Sequence, residues 1–231
     1  MNKILAKLAL GMVAIFGMGA AQATTFLFAD PGADPPSNSG DLASDGEDWL
    51  TDGDTAFLEY TKGGIVIEVY GFTDTSLSTA EVVRQDLAPD FGGLGVDQGG
   101  GGNDDSMQVG EVLVIKTADG NELFMQNALF YDSNHGSTTD LFTSCTGSCG
   151  DVRVEVWNDG GMVGSVTLDL TTVNLFTIGM SGDEFRFIGI TNDSFDSWYL
   201  AAINVPEPTT LALLGLGLLG FGIARRKALT R

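Results

Sequence analysis

Val152-Arg153-Val154-Glu155-Val156-Trp157 alternates apolar and polar residues with only its last position breaking the pattern. In an extended strand successive side chains point to opposite faces, so this period of two places three valines inward and Arg153, Glu155 and Trp157 outward. A helix would scatter the same residues around its axis. Working outward, Val166-Thr167-Leu168-Asp169-Leu170 repeats the alternation, and Ile65-Val66-Ile67-Glu68-Val69-Tyr70 puts Ile65, Ile67 and Val69 on one face. Six further segments qualify: Ala56 to Tyr60, Val112 to Thr117, Glu122 to Tyr131, Leu175 to Met180, Glu184 to Ile190 and Trp198 to Ile203. Short runs punctuated by Gly, Asn, Asp and Ser predict an all-β body, a β-sandwich or jelly-roll-like domain. Ser78-Thr79-Ala80-Glu81 matches a capping box before Val82 to Leu87 and reads as either a helix start or an edge strand. No internal repeat of fixed period interrupts the series.

Charge narrows the partners. The chain carries 11 bases and 31 acids in 231 residues, a net charge of −20. Setting both ends aside leaves five bases against 30 acids in the middle. Such a surface repels phosphate backbones and anionic head groups, which argues against nucleic acid. Cations and neutral glycans remain compatible with it. Apolar residues are spread through the same stretch, so the composition is that of a folded acidic domain.

The two ends read as addresses. Lys3 and Lys7, an apolar Leu8 to Gly19 and the small-x-small Ala21-Gln22-Ala23 form a secretory signal, with Thr24 as the expected mature N-terminus. At the other end, Thr209 to Ala224 is a run of 16 uncharged residues. As a helix it would reach about 24 Å, short of a hydrocarbon core of about 30 Å. Arg225, Arg226 and Lys227 would hold its far end on the cytoplasmic side of the inner membrane, leaving the body outside. Upstream, Pro206 and Pro208 fix φ and remove two amide donors, so Val205-Pro206-Glu207-Pro208 stays extended. An extended site beside a membrane plug suits a membrane-embedded processing enzyme, by the logic of a tail that is cut off and replaced.

Val205-Pro206-Glu207-Pro208-Thr209, the apolar Leu211 to Ala224 and the basic Arg225-Arg226-Lys227 together resemble the PEP-CTERM sorting signal of Gram-negative bacteria. The resemblance implies recognition by an exosortase, a membrane cysteine transpeptidase, with loss of the tail. It also implies a producer of extracellular polysaccharide. Within the body, Gly93-Leu94-Gly95-Val96, Asp104-Asp105, Gly110-Glu111-Val112-Leu113 and the ending Phe187 to Ile203 are similar to a recurring domain of PEP-CTERM surface proteins. That similarity spans Ala56 to Val205 and implies a β-sandwich surface module without established activity. In that group a His-containing segment commonly follows; here Asp105-Ser106-Met107 stands instead, and the one histidine is His135.

Candidate chemistry is sparse. His135, in Asn134-His135-Gly136-Ser137, reads as a turn residue, and no Gly-x-Ser-x-Gly elbow accompanies it. Cys145 and Cys149 flank a Gly-containing loop, and two cysteines with one histidine are too few ligands for zinc. In an oxidising compartment a Cys145–Cys149 disulfide is the leading expectation, with free or intermolecular thiols as the alternative. The glycine runs Gly92-Gly93-Leu94-Gly95 and Gly99 to Gly102 lack phosphate-loop spacing and read as a flexible loop. Acidic loops offer oxygen donors for structural calcium at Asp45, Asp48, Asp52 and Asp54, without EF-hand spacing; a plain solvated acidic surface is the competing reading.

The sequence therefore predicts a signal peptide over 1–23, an extracellular β-sandwich over 24–204 and a sorting signal with its hydrophobic helix over 205–231. The expected protein is exported, anchored transiently in the inner membrane, then resident at the cell surface or in the extracellular matrix. It would act as a non-catalytic structural or glycan-associated component of an exopolysaccharide biofilm, with calcium as its one candidate cofactor. The alternative is a secreted carbohydrate-active enzyme using paired carboxylates.

Overall fold

The computed structural model describes residues 23–29, 35, 37, 41–42, 49–50, 57–85, 93–97, 106–132, 150–170, 175–190 and 198–206. Every regular element among them is a strand. In chain order these are β1 (Ala23–Leu27), β2 (Asp41–Leu42), β3 (Trp49–Leu50), β4 (Leu58–Lys62), β5 (Ile65–Phe72), β6 (Ala80–Gln85) and β7 (Leu94–Asp97). They continue with β8 (Val112–Thr117), β9 (Leu123–Asp132), β10 (Asp151–Asn158), β11 (Gly161–Asp169), β12 (Leu175–Gly182), β13 (Glu184–Gly189) and β14 (Trp198–Pro206).

The strands form two sheets. The first runs β4-β5-β8-β13-β10-β11 and the second β2-β3-β6-β7-β14-β9-β12, with neighbours antiparallel throughout. Strand β6 belongs to both. Its start, Ala80 and Glu81, pairs with Phe72 and Gly71 of β5, and its remainder pairs with β7 and β3. A strand that changes sheets makes the corner joining the two layers. Strand β1 adds to the second sheet by pairing with β14.

The alternation that predicts the fold decides which side faces in. Val152, Val154 and Val156 are fully buried, as are Ile67, Val69, Leu113, Ile115, Phe185 and Phe187 from neighbouring strands. They join Val96, Met125, Phe130, Trp198, Leu200 and Ile203 of the second sheet in one apolar cluster. Phe130 anchors it, meeting Trp198 edge-on at 5.4 Å and Phe187 at 6.0 Å between ring centroids. Such aromatic pairs contribute beyond the area they bury. Strands β4 and β5 are joined by Gly63-Gly64 with φ of 59° and 78°, the left-handed pair that a two-residue hairpin needs.

All nine segments read from the sequence are strands, with ends shifted by a few residues. One open reading is decided and one is corrected. The capping-box segment starts no helix: β6 begins at Ala80, because Asp74 already accepts from the Ser76, Ser78 and Thr79 amides in a tight loop. The glycine stretch around Leu94 is not loop throughout either, since Leu94 and Val96 are fully buried in β7. Gly93 lets β7 approach β14: a Cβ there would lie 2.8 Å from the Leu200 oxygen, at a φ of 155°. The folded body, Thr25–Val205, is one compact unit.

Candidate functional site

The sorting motif begins inside the sheet. Val205 and Pro206 are the last residues of β14, and Val205 is only 1% exposed within the apolar core. On one side β14 pairs with β9, where Ile203 opposes Ala128 and Asn204 opposes Asn127. On its other side, the Phe28 amide donates to the Ala201 oxygen at 2.8 Å and the Asn204 side-chain amide donates to Thr25 Oγ1 at 2.9 Å. Phe28 with Ala201 and Thr25 with Asn204 fix an antiparallel pairing. A polar ladder results, Thr177–Asn127–Asn204–Thr25, with Thr177 Oγ1 donating to Asn127 Oδ1 at 3.2 Å. The ladder leaves Asn204 Oδ1 buried without a hydrogen-bond partner among the described residues.

Of the other residues singled out from the sequence, Ala23 opens β1 and is exposed. Ala21, Glu207, Pro208, Arg225, Arg226 and Lys227 lie outside the described residues, as do His135, Cys145, Cys149, Asp45, Asp48, Asp52 and Asp54. Among the described residues no group of three His, Cys, Asp or Glu is placed to hold a metal ion. Among them, too, no helix is long and apolar enough to cross a membrane.

A second cluster lies on the outer face of the first sheet. Strand register sets Glu68, Lys116, Glu184 and Trp157 in one row, and Tyr70, Val114, Arg186 and Glu155 in the next. Three of the body's five bases, Lys116, Arg153 and Arg186, meet here. Each has a carboxylate: Lys116 Nζ is 3.1 Å from Glu184, Arg153 Nε is 3.0 Å from Glu155, and Arg186 Nε binds Glu184. The Arg186 guanidinium also lies 3.8 Å from the centre of the Trp157 ring, while Trp157 Nε1 donates to Glu155 at 3.3 Å. The Tyr70 hydroxyl donates to Glu68 at 2.6 Å, and the ring supports Lys116 at 5.3 Å. Burial raises the Tyr70 phenol well above its ordinary range, and the hydrogen bond to Glu68 adds to that.

Chemically this face is a network of paired charges on aromatic supports. Glu184 and Glu155 are paired with bases, and Glu68 accepts from the Tyr70 hydroxyl. Elsewhere the buried Glu111 accepts the Gln108 main-chain amide at 2.7 Å. Reading the sequence singled out neither Lys116 and Arg186 nor the ladder at Asn204. Their alternate strand positions were legible; which strand stands beside which was not.

Residues 204–227 match the family model of the PEP-CTERM protein-sorting motif. No curated protein matches the chain. Among solved structures, the chain is similar to the family 32 CBM from C. perfringens NanJ in complex with galactose. That similarity has 11% identity and a TM-score of 0.28, over 83% of this chain and 96% of the other. A superposition this loose assigns no residue of this chain to a sugar.

Proposed function

We propose that this is an exported cell-surface or extracellular-matrix protein of a Gram-negative bacterium, processed at its C-terminus by an exosortase. The observation that carries the reading is the PEP-CTERM sorting motif over 204–227, which begins on the closing strand of a folded all-β body. In this reading the chain is held in the inner membrane by the 205–231 signal only until the tail is removed. The sandwich then serves as a non-catalytic structural or glycan-associated component of the exopolysaccharide matrix. Its charge supports that role. An excess of acids keeps it soluble among neutral polymers and away from nucleic acid.

Intact-mass analysis of the protein recovered from its native producer tests the reading. The expected mature form lacks residues 1–23 and the tail that follows the Pro206-Glu207-Pro208 region. Recovery of a surface form still ending at Arg231 would overturn it. Turnover of a polysaccharide by the purified body would overturn the non-catalytic part.

A further inference from the structure

We propose that the folded body itself sets the upstream limit of C-terminal processing, with β1 as the element that fixes that limit. The inference rests on the exosortase reading and deepens it, by naming the residues that processing leaves in place. The first three residues of the sorting motif, Asn204, Val205 and Pro206, are also the last three of β14.

A processing enzyme must draw the bond it breaks into its own cleft, with the flanking backbone extended and free. Asn204 and Val205 do not meet that requirement. The β14 ladder to β9 runs as far as Asn204, Val205 is buried in the core, and Asn204 is tied across to Thr25. Beyond Val205 the chain changes character for a chemical reason. Pro206 and Pro208 have no amide hydrogen, so neither can donate to a ladder, and the strand must stop. Strand β14 ends at Pro206, the first of the two prolines. Five residues, 206–210, separate the buried Val205 from the apolar run that begins at Leu211.

The role of β1 follows from its place on β14. Strand β7 reaches β14 at Leu200, upstream, while β1 covers the stretch from Ala201 to Asn204. Without β1 the end of β14 would be an edge, free to peel away from β9. Thr25 is thus a positioning residue that acts through Asn204, 179 positions later in the chain. In the step itself, an amide bond C-terminal to Pro206 breaks and its acyl carbon passes to an acceptor, either water or an amine. The acceptor's proton goes to the new amino end of the released tail.

The test uses the full chain made in its native producer, with the C-terminal peptide of the surface form identified by mass. The wild type is expected to show one C-terminus, at or beyond Pro206. Thr25→Val keeps the branched shape and loses the hydroxyl. It should speed amide exchange over 203–205 about fivefold, the worth of one side-chain hydrogen bond, with little change in Tm. Thr25→Pro, which strips β1 from the sheet, should add a second C-terminus upstream of Val205; if it fails to fold, the exchange of the valine variant decides. A wild-type C-terminus upstream of Val205 overturns the inference and leaves the exosortase reading standing. A surface form ending at Arg231 overturns that reading, and the inference falls with it. Unchanged exchange in Thr25→Val removes Thr25 from the positioning role.

Discussion

The Gln85 side chain donates from Nε2 to the main-chain oxygen of Phe28 at 3.0 Å, across 57 positions of sequence. The same amide accepts the Tyr60 hydroxyl at 2.9 Å, and the Phe28 and Tyr60 rings meet edge-on at 5.0 Å. One buried amide thus ties the corner strand β6 to β4 and to the segment leaving β1. Replacing it with leucine keeps the volume and takes a polar partner from both Tyr60 and Phe28 inside an apolar core. The expected loss is about 2 to 3 kcal/mol, read as a lowered midpoint in urea melts. A loss near zero would show that the amide pins nothing.

Asp74 organises the turn into β6. It accepts from the Ser76 amide at 2.8 Å, the Thr79 amide at 3.0 Å and the Ser78 hydroxyl at 2.9 Å, besides the Ser76 hydroxyl. These hydrogen bonds, that of the Ser76 hydroxyl first and then that of Ser78, hold its carboxyl far below the ordinary 3.8. A depressed acid stabilises the fold fully above its unfolded value, and loses that contribution as pH falls through the folded one. Melts between pH 5 and 2 should therefore steepen less for Asp74→Asn than for the wild type. Parallel acid profiles for the two proteins would contradict this.

The stacking of Arg186 on Trp157 is measurable as a coupling. A double-mutant cycle with Arg186→Ala and Trp157→Ala should return about 0.5 to 1 kcal/mol for this partly exposed pair. Arg186→Ala alone should cost more than the coupling, since it also takes the guanidinium from Glu184, which is 14% exposed in that pair. A coupling of zero would mean that the contact contributes shape alone.

How far the fold was legible depends on how local its cause is. Val152 to Trp157 announces a strand and its inward face without outside help, and so do the other strictly alternating runs. Leu94 and Val96 do not, because these four residues beside a glycine run become a strand through a ladder to the distant β6 and the approach to β14 that Gly93 permits. Strand β6 was ambiguous for a related reason. Ser78 and Glu81 fit a helix start until Asp74, upstream, claims both the amide and the hydroxyl of Ser78. The sorting motif was readable because its prolines, apolar run and basic cluster are contiguous. That its first residues belong to a core strand was not, since the partner, Thr25, sits at the other end of the body.

Pairing the first strand of the body with its last also fixes an order of events in time. In the proposed export from the N-terminus, β9 and β7 would reach the outside before β14 does. Until residues 198–205 follow them, the second sheet has a gap in its middle, and β1 has no neighbour to bind. Contacts this distant in sequence form slowly, on the millisecond-to-second scale of sandwich domains. On that reading the second sheet closes last, with the strand that carries the first residues of the sorting motif.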